Sequence, residues 1–191
     1  GSEHESLSYG TYFIYFGGLG LIHDVLFWAD FFSQFSQKDR RLFNVLFFGA
    51  GEAESTLREL IGKEPNENFY FFGSKPKVDL IPWIENSMAT LFSTTEHKTQ
   101  QTCAPNKVFD SLAAGKPIIQ TSEGWIKDLI FHYKCGINID KVNINNSVSE
   151  LLELITDEHL QHELSENAKN LAKLKYSKSV VFEKYYSLIQ A

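Results

Sequence analysis

The sequence predicts an α/β domain built on a parallel, doubly wound, six-stranded sheet with helices on both faces and a helical C-terminal tail. Three observations carry that prediction. Apolar runs of strand length alternate with helix-length amphipathic segments along the 191 residues, as repeated βαβ units require. The strand-length runs are apolar almost without interruption, which is the signature of strands buried on both faces. The first three of them stop at glycine, at Gly17, Gly49 and Gly73.

The elements follow in order. Residues 11–16 are aromatic and β-branched and read as the first strand. Residues 21–35 change to helical spacing, with Val25 and Phe32, and Trp28 and Phe35, each seven apart. Residues 42–48 form the second strand, 52–61 a helix ended by Gly62, and 68–72 the third strand. A short helix is expected over 78–85, with Pro82 tolerated near its first turn. Residues 88–93 make strand four, and the polar stretch 94–104 has no period. Pro105 is preset for the first position of a helix that Gly115 closes. Strand five is expected at 117–121, a helix at 125–133, strand six at 136–139, and helix from Ser147 onward.

Composition narrows the function. A net charge of -6 argues against a nucleic-acid partner. The richest apolar stretch, 21–35, is broken by His23, Asp24, Asp30, Ser33 and Gln34, short of the roughly 20 apolar residues that span a bilayer. Cys103 and Cys135 are too few for a disulfide scaffold and lack ligand spacing, so a reducing cytoplasm is the expected compartment. Gly1-Ser2 reads as a cleavage scar, residues 1–10 as a leader, and the first element is expected near Thr11 of a piece cut from a longer chain.

In such a sheet ligands lie beyond the carboxyl ends of the strands, where strand order reverses. The loop Gly17-Gly18-Leu19-Gly20 has two readings: glycines that let backbone approach a diphosphate, or a tight strand-to-helix turn. The loop Gly49-Ala50-Gly51 reads as a structural turn, because Glu52 and Glu54 already complement the helix dipole and would repel an anion. The segment Pro105-Asn106-Lys107-Val108-Phe109-Asp110 is the sharpest signal. A cation in a first helical turn is disfavoured by about 0.3–1 kcal/mol, and a bound anion reverses the sign. Asp110 lies three residues after Lys107 and four after Asn106, on one face, where a carboxylate suits the vicinal hydroxyls of a ribose. A plain surface Lys–Asp pair is the equal alternative.

Other residues carry weaker signals. Glu96 and His97 read as solvated loop, with a sugar contact second. His132, His159 and His162 have no companion ligands, so no metal site is expected. Trp28, Trp83 and Trp125 read as packing residues, Trp125 alternatively as a wall of a sugar pocket. Lys169, Lys173, Lys175 and Lys178 read as a solvated face, with weak attraction to an anionic membrane as the alternative.

From about Thr11 the chain resembles the C-terminal half of retaining GT-B glycosyltransferases of family 4, of the bacterial surface-polysaccharide type that includes amino-sugar (fucosamine-type) transferases. The resemblance rests on Tyr15-Phe16-Gly17-Gly18-Leu19-Gly20, on Val45-Leu46-Phe47-Phe48-Gly49-Ala50-Gly51 and on Phe69-Tyr70-Phe71-Phe72-Gly73-Ser74. Its most specific segment runs from Pro105 through Asp110-Ser111-Leu112-Ala113-Ala114-Gly115-Lys116-Pro117 to Ile119. It implies a Rossmann-like donor domain over 11–191 whose N-terminal acceptor domain is absent from this sequence, and which transfers nothing by itself. The partners it implies are a nucleoside-diphosphate sugar, expected to be UDP-linked, and a saccharide or a lipid-linked acceptor at the inner face of the cytoplasmic membrane. It implies no cofactor and no bound divalent metal.

By the same resemblance the donor diphosphate falls to Gly18 and Gly20, beside Gly17, and to Cys103, Ala104, Asn106 and Lys107. The ribose falls to Asp110, the nucleobase to Ser74, Lys75 and Pro76, and the donor sugar to Glu96, His97 and Thr102. No catalytic residue is assigned. Three departures stand out: Gly18 and His23 occupy places where the family often has Arg and Lys, Thr102 replaces the first Glu of the Glu-x7-Glu motif, and Asp110 replaces the second. Lys107 is the candidate for the missing charge. A degenerate, non-catalytic nucleotide- or protein-binding module is the rival reading. An enzyme acting on its nucleotide sugar without an acceptor ranks last, since only Glu96, His97 and Glu123 are offered near the sugar.

Overall fold

The computed structural model describes residues 2–62, 68–97 and 102–189. Six strands, β1 (Tyr12–Phe16), β2 (Asn44–Phe48), β3 (Phe69–Phe71), β4 (Ala89–Phe92), β5 (Ile118–Gln120) and β6 (Gly136–Asn138), form one parallel sheet in the order β3-β2-β1-β4-β5-β6. The order reverses between β1 and β4, and the segments that begin at Gly17 and at Ser93 leave from that point. Both faces of β1 are covered. Phe13 and Tyr15 join Trp28, Phe32, Phe47 and Leu151 on one side, while Tyr12, Ile14 and Phe16 join Leu46, Phe48 and Trp83 on the other. A further cluster, Val108, Leu112, Ile118, Ile126, Ile130 and Leu171, fills the β5 end. Burial on two faces is why the strands read as unbroken apolar runs.

The helices are α1 (Ser2–Leu7), α2 (Phe27–Ser33), α3 (Gln37–Arg40), α4 (Glu54–Gly62), α5 (Lys77–Asn86), α6 (Asn106–Ala113), α7 (Trp125–Tyr133), α8 (Ile144–Thr156), α9 (Glu158–Leu171) and α10 (Lys178–Ile189). A π-turn, Ala172–Tyr176, joins the last two. This is the predicted fold class, with five local corrections.

The helix expected over 21–35 is a 3-10 turn, Leu21–His23, followed by α2, because Asp24 takes a left-handed conformation (φ 48°) that ends the first turn. An unforeseen α3 is capped by Ser36, whose hydroxyl accepts from the Asp39 amide at 3.2 Å. The first element precedes Thr11: α1 is followed by Tyr9, whose ring packs edge-on against Tyr70 (4.8 Å) and Phe72 (5.5 Å). Pro82 sits inside α5, past the first turn. The C-terminal helical region begins at Ile144 and breaks at Asp157, whose carboxylate accepts from the His159 and Leu160 amides at 2.8 and 3.2 Å. Among the described residues no helix is long and apolar enough to cross a membrane.

Candidate functional site

The loop after β1 is held from beneath by the loop after β2. The amide of Gly17 donates to Phe48 O (2.9 Å), that of Leu19 to Ala50 O (3.0 Å), and the buried Tyr15 hydroxyl donates to Gly18 O (2.8 Å). A Cβ on Gly49 would collide with the carbonyl oxygen of Gly17, and one on Gly51 with the main chain of Leu19. The Glu52 carboxylate accepts from the Leu21 amide at 3.2 Å, and Glu54 pairs with Arg58 at 2.8 Å. The second glycine loop is thus a buttress, and Gly17 (φ 125°) takes a backbone conformation that suits glycine.

At the start of α6, Pro105 is the N-cap residue in extended conformation (φ -72°, ψ 131°), one position before the place expected for it. The Pro105 side chain makes no capping hydrogen bond. Val108 N–H bonds back to Pro105 O (3.1 Å), and among the described residues the amides of Asn106 and Lys107 have no acceptor in the chain. Two helix-terminal donors are therefore available to an anion.

Lys107 does not pair with Asp110. Its stem folds back into the sheet, and Nζ lies 4.5 Å from the Tyr15 ring centroid and 5.8 Å from that of Phe92. The ammonium donates to the Tyr15 hydroxyl at 3.3 Å and rests against Gly17. Among the described residues no carboxylate pairs with it, and burial pushes its pKa down to about 8. Asp110 stays at the surface and accepts instead from Lys77 Nζ at 2.6 Å. With the Lys77 side chain 69% exposed, this ion pair contributes at most about 1 kcal/mol. Lys77→Ala is therefore expected to move the melting temperature by about 4 °C or less, which a thermal melt checks.

These groups meet in a cleft of about 290 Å³ lined by Phe16, Gly17, Lys75, Lys77, Leu80, Ile84, Asn106, Lys107 and Asp110. It adjoins a hollow of about 260 Å³ lined by Gly17, Gly18, Phe48, Gly49, Ala50, Ser74, Lys75 and Leu80. Of the residues expected at a donor site, Gly17, Gly18, Ser74, Lys75, Asn106, Lys107 and Asp110 come together, with Pro76 at the start of α5 beside them. The others stand apart. Gly20 is faced by His23 and Glu52, and Thr102, Cys103, Ala104, Glu96 and His97 are exposed on the loops and line neither hollow. Trp125 packs, its indole donating to Cys103 O at 2.9 Å and its ring stacked 6.1 Å from Phe109. Lys77 was not foreseen, although a lysine opening a helix at 77 is the same first-turn anomaly that marks Lys107.

A larger hollow of about 500 Å³ beside β6 carries Glu150, Glu153 and Glu163 against one cation, Lys134, and is unsuited to an anion. Among the described residues no three His, Cys, Asp or Glu side chains converge as metal ligands.

Known proteins resemble the chain chiefly in fold. Residues 22–171 match the family model described as glycosyl transferases group 1. No curated protein sequence matches. WaaG, a glycosyltransferase involved in lipopolysaccharide biosynthesis, superposes with a TM-score of 0.75 at 14% identity, over 96% of this chain and 50% of its own. Anabaena Alr3699/HepE in complex with UDP gives 0.81 at 12% identity, over 98% and 50%. The C-terminal domain of the group 1 family protein LpcC from Francisella tularensis gives 0.69 at 15% identity, over 88% and 87%. The chain thus spans about half the length of the two full-length structures.

Proposed function

The chain belongs to the glycosyl transferases group 1, and from that premise we propose that it is the donor-binding half of a retaining enzyme. That enzyme moves a sugar from a nucleoside diphosphate, UDP first among them, to a saccharide or lipid-linked acceptor in surface-polysaccharide synthesis. The observation that carries this reading is the cationic cleft at the strand-order reversal: Lys75, Lys77 and Lys107 face a single carboxylate, Asp110, in a protein of net charge -6. HepE, which shares this fold, is known with UDP and with UDP-glucose bound.

The chemistry follows from placement. The free amides of Asn106 and Lys107 and the Lys107 ammonium hold the diphosphate, and Gly17 and Gly18 let it lie against the main chain. Asp110 receives the ribose hydroxyls when Lys77 swings away, and the loop 74–76 borders the base. In transfer, the bond between the anomeric carbon and the diphosphate oxygen breaks, and that carbon bonds to the acceptor oxygen, which gives up its proton. The cations stabilise the negative charge gathering on the leaving diphosphate, with no divalent metal. The acceptor and any catalytic base come from a second domain, so this chain alone binds donor without transferring, in the cytoplasm or at the inner face of its membrane. A non-catalytic binding module is the second reading, favoured by the exposure of Thr102 away from both hollows.

Calorimetric titration with UDP tests this reading. Asp110→Asn keeps the shape and removes the charge that two hydroxyls would share. It is expected to weaken binding about 10- to 100-fold, the loss of one charge-assisted contact, while moving the melting temperature by no more than the few degrees that the Lys77 pair accounts for. A folded protein that ignores UDP and other nucleoside diphosphates would point to the second reading.

A further inference from the structure

We propose that His23 and Lys107 act as a pair on the donor diphosphate and that the nucleotide sugar binds together with a proton taken from solvent; this deepens the donor reading above and rests on it. His23 is held by its main chain and left open at its side chain. Its carbonyl accepts from Ser93 Oγ at 2.6 Å, and the buried Trp28 indole donates to the same hydroxyl at 2.9 Å. Its amide closes the 3-10 turn onto Gly20 O at 3.0 Å. The imidazole makes no hydrogen bond among the described residues, and Nε2 lies 3.3 Å from where a Cβ on Gly18 would stand. Lys107 Nζ lies 3.0 Å from the corresponding point on Gly17. The two bases thus bracket Gly17, which lines both hollows, and Gly18, which lines the smaller one.

Lys75 lines both hollows as a further cation, and the acidic groups nearby are already engaged. The Tyr15 phenol, raised above its ordinary range by burial, is a neutral donor. The Glu52 carboxylate is engaged by the Leu21 amide, and Asp24 by Lys141 at 2.8 Å. Asp110 is engaged by Lys77. In the empty site burial lowers the His23 pKa, and the charge on Lys107 lowers it further. At pH 7 the imidazole is therefore mostly neutral and Lys107 mostly charged. A diphosphate brings two negative charges to the pair and favours the charged form of both. Protons are then taken up on binding, mainly by His23 at pH 7 and increasingly by Lys107 towards pH 8, so affinity rises as pH falls from 8 to 6.

The test uses UDP-glucose, with ADP-glucose and GDP-glucose in parallel, because their phosphate diesters stay ionised over this range and contribute no protons. Titration at pH 7 in buffers of different ionisation enthalpy is expected to show uptake of about 0.5–1 proton per donor bound. His23→Gln should remove most of that uptake and weaken binding about 3- to 10-fold, the melting temperature holding. Binding without proton exchange, or full uptake in His23→Gln, overturns the pair and leaves the donor site standing. A folded protein that binds none of the three sugars at any pH overturns the donor reading and the pair with it.

Discussion

Replacing Lys107 by methionine is expected to weaken nucleotide-sugar binding by about 100-fold and, in the empty protein, to raise the melting temperature. The two effects have one cause. In the unfolded chain this lysine titrates near 10.5, and in the folded protein burial brings it down to about 8. Between those values the folded state holds fewer protons than the unfolded one, so this group makes stability rise with pH across the window and keeps it lowest below 8, where a buried ammonium must be carried. The shift corresponds to roughly 3 kcal/mol. Methionine keeps most of the stem and drops the charge, so a gain of about 1–3 kcal/mol, or about 2–12 °C, is expected at pH 7. The gain should fade above pH 10.5, where lysine is neutral in both states. Calorimetric melts at pH 7 and pH 11 read the first effect and donor titration reads the second. A variant that melts lower at pH 7 would make the ammonium a packing element and not a site held ready for an anion.

Interactions between residues close in sequence leave a pattern in the chain, and those between distant residues do not. The sheet was legible because Phe13 and Tyr15 face one layer and Tyr12, Ile14 and Phe16 the other, which leaves a pattern in adjacent residues. Helix α6 was legible because Pro105 and Gly115 bracket it, and the shared face of Asn106 and Asp110 follows from spacing alone. The direction taken by Lys107 was not. Three residues before Asp110 it could serve either partner, and the decision is made by Tyr15, 92 positions away in sequence and across the order reversal. The Lys77–Asp110 pair spans 33 positions and is equally silent in a linear reading. The 3-10 turn that ends on His23 was hidden by an apolar helical period that continues through the left-handed break at Asp24. Tyr9, read as part of a leader, is fixed by partners distant in sequence: the rings of Tyr70, Phe72 and Trp83, and the Asn44 side chain, which donates to its carbonyl at 2.6 Å.

Gly49→Ala should cost about 3 kcal/mol or more, lowering the melting temperature by roughly 6–12 °C, and should remove donor binding in whatever fraction folds. Gly49 ties three loops: its amide donates to Gly73 O at 2.8 Å, and Phe48 before it accepts from Gly17 at 2.9 Å. The added methyl meets the Gly17 carbonyl, backbone and not a side chain, so no change of rotamer relieves the clash. The loop after β1 must move, breaking the Gly17 and Leu19 hydrogen bonds to the loop after β2 and drawing Gly18 away from His23. The same chemical change at Gly62, at the end of α4, meets nothing within 4 Å among the described residues, so Gly62→Ala serves as the control. It is expected to be neutral or to stabilise by up to about 1 kcal/mol through helix propensity. Stability and binding should therefore fall together in Gly49→Ala and separate in Lys107→Met, because one substitution displaces the floor of the cleft and the other removes a buried charge that no carboxylate among the described residues balances. If Gly49→Ala melts normally and still binds donor, the glycine loops do not set the geometry of the site, and the contact between them has no part in holding the diphosphate.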